Sequence, residues 1–285
     1  MNPAAFATLV VFLAALLILW DEISPALAEV PWWAWTACGV AAVAGLPHAL
    51  LPLLVRSQHW QRADPDFPPF DPDGPKVPPE AAEWLRSVAE AWRAEGFVLL
   101  GYVRNSDSMP NLAGWMAVFE RPESHDGALA VWMTTTVPDQ PPQVTAFVEV
   151  AARFPDGRRL STYNSPFPNQ FPLPPGKRFV HLPQCADPAR LYRVHGHVRR
   201  TDYPGATAES WLKDGPTEAL RESWRREMCE HSAAGYLCLD EAAAVYRMTW
   251  RGAYLLTWKN LWPWSHLRTT ASRRAAERLL AEVPR

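Results

Sequence analysis

Four side chains in the second half of the chain have the chemistry of metal ligands. His181, Cys185, His195 and His197 offer the nitrogen and sulfur donors that Zn²⁺ prefers in proteins. Their spacing is unfavourable, because residues two apart on a helix, such as His195 and His197, point about 200° away from each other. The chain also lacks the HExxH arrangement of zinc peptidases. We therefore assign no metal ligands and expect no cofactor.

The same residues raise the question of a nucleophilic centre. Cys185 with His181 or His195 has the composition of a thiolate–imidazole pair. The chain has no recognisable signature around this cysteine, and a free cysteine is more often a small buried apolar residue. The 14 glycines form neither GxGxxG nor GxxxxGK[S/T], so no phosphate-binding loop is predicted. No catalytic residues are assigned, although a membrane-proximal hydrolase or metal-dependent enzyme using His181, Cys185 and His195 stays open as an alternative.

Two apolar stretches near the N-terminus, residues 4–20 and 31–55, contain no Lys, Arg, Asp or Glu. As helices rising about 1.5 Å per residue, they are close to the length needed to cross a hydrocarbon core of about 30 Å. Tryptophans at the end of the first stretch and the start of the second fit the aromatic belt of a membrane interface. Residues 1–60 are therefore predicted to be a membrane anchor with two transmembrane helices.

The charges beside these stretches predict the orientation. The connector, residues 21–30, carries three carboxylates and no basic residue, whereas Arg56, Arg62 and Lys76 follow the second stretch. Because basic residues stay on the cytoplasmic side, we expect a protein of the bacterial inner membrane with its C-terminal domain in the cytoplasm. A signal peptide cleaved after Ala28 is the competing hypothesis, and the absence of a basic residue before the first apolar stretch disfavours it.

Composition narrows the choice of partners. The formal net charge is −2, whereas a nucleic-acid-binding protein usually carries a strong basic excess. The four cysteines include no CxxC pair and suit a reducing compartment. The expected partners are the lipid bilayer and another membrane or cytoplasmic protein, and no nucleic acid.

Periodicity after the anchor predicts an α+β fold. Residues 61–79 are rich in Pro and Asp and are predicted to be an extended linker. Residues 80–249 are predicted to form a globular domain in which helices cover an antiparallel β-sheet. A helix over residues 80–95 should open this domain, followed by strands with alternating or β-branched patterns. These strands are predicted at 97–104, 114–121, 128–136, 145–154 and 158–163.

Two segments are predicted to form contact surfaces. The Pro-rich loop 164–176 carries two phenylalanines, and residues 250–285 are predicted to form aromatic and basic C-terminal helices that pack on the domain or face the membrane. From position 247 onwards the chain has eight basic residues against two acidic ones. The candidate contact residues are Phe167, Phe171, Trp250, Trp258, Lys259 and Trp262.

The layout, together with the phrase RFPDGRRLSTYN at 153–164, resembles that of uncharacterised bacterial two-span membrane proteins with a cytoplasmic α+β domain. The resemblance implies a fold and a location but no activity. The favoured function is therefore a membrane-anchored cytoplasmic binding or scaffolding module. Lipid-surface sensing by the basic aromatic tail is a further alternative.

Overall fold

The computed structural model describes residues 31–105, 108–109, 111–137 and 139–283. The chain divides into two units, one ending at Leu50 and one running from Leu51 to Arg285. The first predicted transmembrane stretch, residues 4–20, lies outside the described residues. The second coincides with helix α1, Trp32–Gln58. Within the described part of the chain, no helix has the length and apolarity needed to cross a membrane.

A six-stranded sheet forms the centre of the second unit, with strand order β2-β3-β4-β5-β6-β7. The first five strands pair antiparallel, and β7 pairs parallel to β6. The strands are β2 (Val98–Asn105), β3 (Leu112–Arg121), β4 (Asp126–Thr135), β5 (Gln143–Arg153), β6 (Arg159–Tyr163) and β7 (Lys177–His181). The predicted α+β class is confirmed, but the sheet is mixed rather than antiparallel.

Alternation along the strands gives the sheet two buried faces. On one face, Trp115, Ala117 and Phe119 of β3 pack against helices α2 (Pro79–Ala94) and α3 (Pro188–Asp202). Successive side chains of a strand point to opposite faces. Met116 and Val118 therefore lie on the other face, under helix α4 (Pro216–Ala233). The sheet thus lies between two layers of helices.

Local chemistry explains where the covering helices begin. In α2 the apolar residues recur at helical spacing, and Trp92 contacts Phe119 edge to face with ring centroids 5.0 Å apart. Helix α3 begins at an Asp-Pro pair, where the Asp187 carboxylate accepts a hydrogen bond of 2.9 Å from the Ala189 amide. Gly235, with φ of +74°, follows the end of α4.

A small second sheet joins the two ends of the unit. Its strand order is β1-β9-β8, formed by β1 (Trp60–Arg62), β8 (Leu237–Asp240) and β9 (Val245–Met248). Helix α5 (Trp250–Asn260) follows β9 directly and is capped by the Thr249 hydroxyl, which accepts from the Gly252 amide at 3.0 Å. Helix α6 (Trp264–Glu282) completes the chain. Its N-cap is Pro263.

The Pro/Asp-rich segment 61–79 does not stand free as a spacer. Phe67 is buried among Val103 and other residues under α4, and the Pro68 carbonyl accepts a hydrogen bond of 2.9 Å from the Arg104 amide. An exposed edge strand presents unpaired backbone groups. The segment therefore covers β2, the edge strand of the large sheet. Burial of its apolar rings favours this packing.

Candidate functional site

His195, one of the predicted metal or catalytic residues, is a core residue. Its side chain is fully buried on α3, and Nδ1 lies 3.0 Å from the Thr162 hydroxyl oxygen. Nε2 lies 3.7 Å from a carboxylate oxygen of Asp126, longer than a hydrogen bond. Thr162 is also fully buried, so this Thr–His–Asp arrangement has no route to a substrate.

Asp126 is the charged centre of that arrangement. Arg199 donates to the Asp126 carboxylate at 2.6 Å, and the Ser124 hydroxyl donates to it at 2.7 Å. Burial alone would raise the pKa of the Asp126 carboxyl, but His195, Arg199 and Ser124 together hold it below its ordinary value. No local pattern around Asp126 indicates this network, because its partners Arg199 and His195 lie about 70 residues further along the chain.

Cys185 does not have the environment of a nucleophile. Its side chain is buried, and Sγ lies 3.6 Å from the Asp187 carbonyl oxygen. Burial raises the pKa of the Cys185 thiol, which keeps it protonated at neutral pH. A reactive cysteine requires the opposite shift.

His181 lies on the other face of the sheet from His195. In the parallel pairing of β6 and β7, Tyr163 is opposite His181, and the two rings stack with centroids 5.0 Å apart. Thr162, the partner of His195, is adjacent to Tyr163 and therefore points to the opposite face. The structure thus separates the residues that the alternative enzyme hypothesis requires to converge. Among the described residues, no group of three or more His, Cys, Asp or Glu is placed to hold a metal ion.

The hydrogen bonds of His181 fix its tautomer. Nε2 lies 2.7 Å from the Ser165 carbonyl oxygen, which accepts only, so Nε2 carries the proton. Nδ1 then accepts from the Ser272 hydroxyl of α6 at 3.1 Å. Burial lowers the pKa of His181, the hydrogen bond to the Ser165 carbonyl opposes this shift, and the positive charge of Arg268 adds to it. The neutral ring therefore links β7 to α6.

His181 lines a cavity with a volume of about 780 Å³. It is lined by β6 and β7, loop 164–176, the end of α5 and the first half of α6. Aromatic rings of Tyr163, Phe167 and Phe179 form its apolar wall. Such a volume and a mainly apolar wall are typical of small-molecule sites.

The charged groups in this cavity are all cations. Lys259, Arg268 and Arg273 line it, and no carboxylate does. Lys259 donates to the Gln170 carbonyl at 3.2 Å, and Arg268 donates to the Lys259 carbonyl at 3.3 Å. Within the part of the chain that the structure describes, neither Lys259 nor Arg268 has a carboxylate within 4.0 Å. Burial lowers the pKa of Lys259, and the neighbouring Arg268 lowers it further.

The two loop phenylalanines have different environments. Phe167 is 62% exposed at the cavity. Phe171 is buried, and its ring stacks on Tyr236 with centroids 4.7 Å apart. The prediction of a contact surface therefore fails for Phe171, because its ring packs into the core beneath the small sheet rather than facing solvent.

The predicted contact residues of the C-terminal helices are on the surface. Trp250, Tyr254, Trp258 and Trp262 recur every four residues, and each is at least 44% exposed. We call these four residues the aromatic row. The Arg56 guanidinium, near the end of α1, lies 4.6 Å from the centroid of the Trp250 ring. The aromatic row therefore begins where α1 ends.

No protein-family model, curated protein or solved structure matches the chain. The fold defines a domain of the α+β class, and its two candidate functional features are the cavity and the aromatic row.

Proposed function

We propose that the protein is a membrane-anchored binding module of the bacterial inner membrane, with its α+β domain in the cytoplasm and its aromatic row in the lipid interface. The observation that carries the proposal is the aromatic row itself. Soluble monomers rarely expose contiguous large apolar patches, and rings that are half exposed beside basic residues suit the headgroup region of a bilayer.

The exposed surface of α1 supports the anchor. Large apolar side chains project into solvent along this helix and need a cover that the described residues do not supply. The exposed residues are Trp32, Trp33, Trp35, Leu46, Leu50, Leu53 and Leu54. Lipid would cover them on all sides. Arg56 at the end of α1 then lies at the cytoplasmic boundary, in agreement with the charge pattern of the sequence.

Charge supports the same orientation. Residues 247–285 hold eight basic and two acidic residues, a net of +6. Each Lys or Arg near an anionic membrane contributes about 1 kcal/mol of attraction. Anionic lipid is concentrated on the cytoplasmic leaflet, so this segment favours a domain on that side.

Binding is a better account of the cavity than catalysis. Burial and the nearby Arg268 lower the pKa of His181, whereas Lys259 and Arg268 offer positive charge at the cavity. This chemistry recognises an anion and has no activated nucleophile at its centre.

Spin labelling of the full-length protein in liposomes containing anionic lipid tests the lipid contact. After replacement of the native cysteines, a nitroxide is placed at Trp258→Cys and, as a control, at Glu83→Cys on the solvent side of α2. We expect lipid-soluble oxygen to collide with the first label more than a water-soluble nickel chelate does, and the reverse for the control. Equal access of the nickel chelate to both labels would refute the lipid contact.

Protease protection tests the location separately. Trypsin added to intact spheroplasts should leave the C-terminal domain undigested, and carbonate washing should leave the protein in the membrane fraction. Digestion of the domain from outside would overturn the orientation, and release by carbonate would overturn the anchor.

A further inference from the structure

We infer that the cavity lined by Tyr163, Phe179 and His181 binds an organic phosphate, with the phosphate at Lys259 and Arg268 and an apolar part against the aromatic wall. The inference deepens the proposed binding function and rests on it. A phospholipid headgroup and a soluble phosphate ester share this chemistry.

The two cations are placed for one anion. Both side chains line the same cavity, and the Arg268 guanidinium, which donates to the Lys259 backbone carbonyl, is close enough to act on the Lys259 charge. Each keeps donors beyond the single hydrogen bond that it makes to a carbonyl, since an ammonium has three N–H groups and a guanidinium five. A phosphate offers several acceptor oxygens, and its hydrogen bonds to charged donors are stronger than neutral ones.

The mutual repulsion of the two cations supports the same ligand. Two like charges without a nearby carboxylate destabilise each other, and burial of Lys259 adds to the cost of its charge. An anion in the cavity would remove both penalties. The relief of this repulsion would therefore favour binding of an anionic ligand.

The apolar wall indicates that inorganic phosphate alone leaves much of the site empty. Tyr163 ends β6, Phe179 lies in the middle of the adjacent strand β7, and Phe167 lines the cavity from the loop. A volume of about 780 Å³ is large compared with a single phosphate group. A headgroup with the first carbons of its chains, or an aryl phosphate, fits this combination of charge and apolar area.

The cavity also lies close to the aromatic row. Lys259 is adjacent in sequence to Trp258 and belongs to the same helix, α5. A lipid at the interface that the aromatic row occupies would therefore be within reach of the cavity. This proximity favours the phospholipid as the natural source of the phosphate.

Titration calorimetry on the full-length protein in neutral maltoside micelles tests the inference with four probes. These probes are dihexanoyl phosphatidylglycerol, phenyl phosphate, inorganic phosphate and, as the neutral-headgroup control, dihexanoyl phosphatidylcholine. We expect the phosphatidylglycerol to bind at least tenfold more tightly than the phosphatidylcholine and inorganic phosphate. Tighter binding of phenyl phosphate than of phosphatidylglycerol would identify a soluble ester as the source and would still support the site.

Three variants locate the binding. Lys259→Gln and Arg268→Gln should each weaken it at least tenfold, which equals about 1.4 kcal/mol. Ala271→Phe keeps both cations but fills the cavity from an exposed position of α6, so it should weaken binding without affecting the fold. Arg274→Gln, on the same helix but outside this cavity, is the control of matched charge and should change binding less than twofold.

The inference fails if no probe binds more tightly than phosphatidylcholine. It also fails if the Arg268→Gln and Ala271→Phe variants bind the probes as tightly as the wild-type protein. Nitroxide accessibility of α5, measured on the same preparations, separates the two proposals. Lost cavity binding with α5 still in lipid would overturn this inference alone. Specific cavity binding with α5 in water would overturn only the lipid contact of the proposed function.

Discussion

Replacing Asp126 by Asn should destabilise the domain severely, because the substitution removes a buried charge while keeping the size of the side chain. Asp126 is 2% exposed and accepts from Arg199 and Ser124. The Arg199 side chain is itself only 16% exposed. Without its partner, this guanidinium would remain as an uncompensated charge in the protein interior.

The magnitude follows from that burial. Breaking a buried ion pair from one side costs about 3–5 kcal/mol, against a total stability of about 5–15 kcal/mol for a typical domain. For a domain of 150–250 residues, 1 kcal/mol shifts Tm by about 2–4 °C. We therefore expect Asp126→Asn to lower Tm by about 6–20 °C at pH 7.

Thermal denaturation of the full-length protein in neutral micelles, followed by near-UV circular dichroism, measures the effect. Glu123→Gln is the control, because Glu123 pairs with Arg121 at 2.9 Å but is 80% exposed, and such pairs contribute less than about 1 kcal/mol. A double variant, Asp126→Asn with Arg199→Leu, should lose less stability than the sum of its single variants. A decrease of under 2 °C for Asp126→Asn, or strict additivity, would refute the reasoning.

Lowering the pH should reduce the difference in Tm between the wild-type protein and the Asp126→Asn variant. The folded pKa of Asp126 is lowered, so its contribution is complete above the unfolded pKa and is lost as the pH falls through the folded pKa. A difference in Tm that does not decrease as the pH falls below 3 would contradict the lowered pKa of Asp126.

Three further changes test other parts of the structure. Gly252→Ala would place its Cβ about 2.2 Å from the Tyr236 carbonyl oxygen. The resulting overpacking should cost about 1–3 kcal/mol and lower the Tm. An unchanged Tm would contradict the close approach of the two backbones. Because the folded pKa of His181 is lowered, the unfolded chain binds its proton more readily, so stability should fall as pH drops through about 6.5. A His181→Gln variant should show a shallower fall between pH 7.5 and 5.5, and an identical pH profile would rule out this contribution. Phe171→Ala should lower the free energy of unfolding, measured by urea denaturation, by about 3–5 kcal/mol, because the buried ring stacks on Tyr236. Phe167→Ala, at an exposed position, should lower it by less than about 1 kcal/mol. Equal losses would contradict the different burial of the two rings.

Local signals predicted most of the elements around the cavity. The predicted strands 145–154 and 158–163 are separated by Pro-Asp-Gly at 155–157, and they pair as the β5–β6 hairpin. The apolar spacing of α2 gave its buried face. Each of these signals involves residues a few positions apart, which a sequence displays directly.

Signals from distant residues were missed. Strand β7 is only five residues long and begins with two cations, so it has little of the alternation that identifies strands. Its parallel partner is β6, and that pairing depends on the path of loop 164–176. Asp126 is buried because Arg199, 73 positions later, lies opposite it.

The candidate site was predictable in part. Lys259 and Phe167 were selected for their types and are at the cavity, whereas Arg268 and Phe179 were not selected. His181 was selected for metal or catalytic chemistry and instead bridges β7 and α6. Which basic or aromatic side chains share a cavity depends on how α6 packs beside β7, and the amino-acid order alone does not encode that packing in a local pattern.

The pairing of β1 with β9 imposes an order on folding during synthesis. Trp60 lies opposite Arg247, so the first strand after α1 cannot pair until most of the chain has left the ribosome. At about 5–20 residues per second, this interval lasts roughly 10–40 s. A nascent chain held beside the membrane would meanwhile display an unpaired strand edge. We therefore expect chaperones to associate with ribosomes that have not yet translated β9 and to dissociate once it emerges.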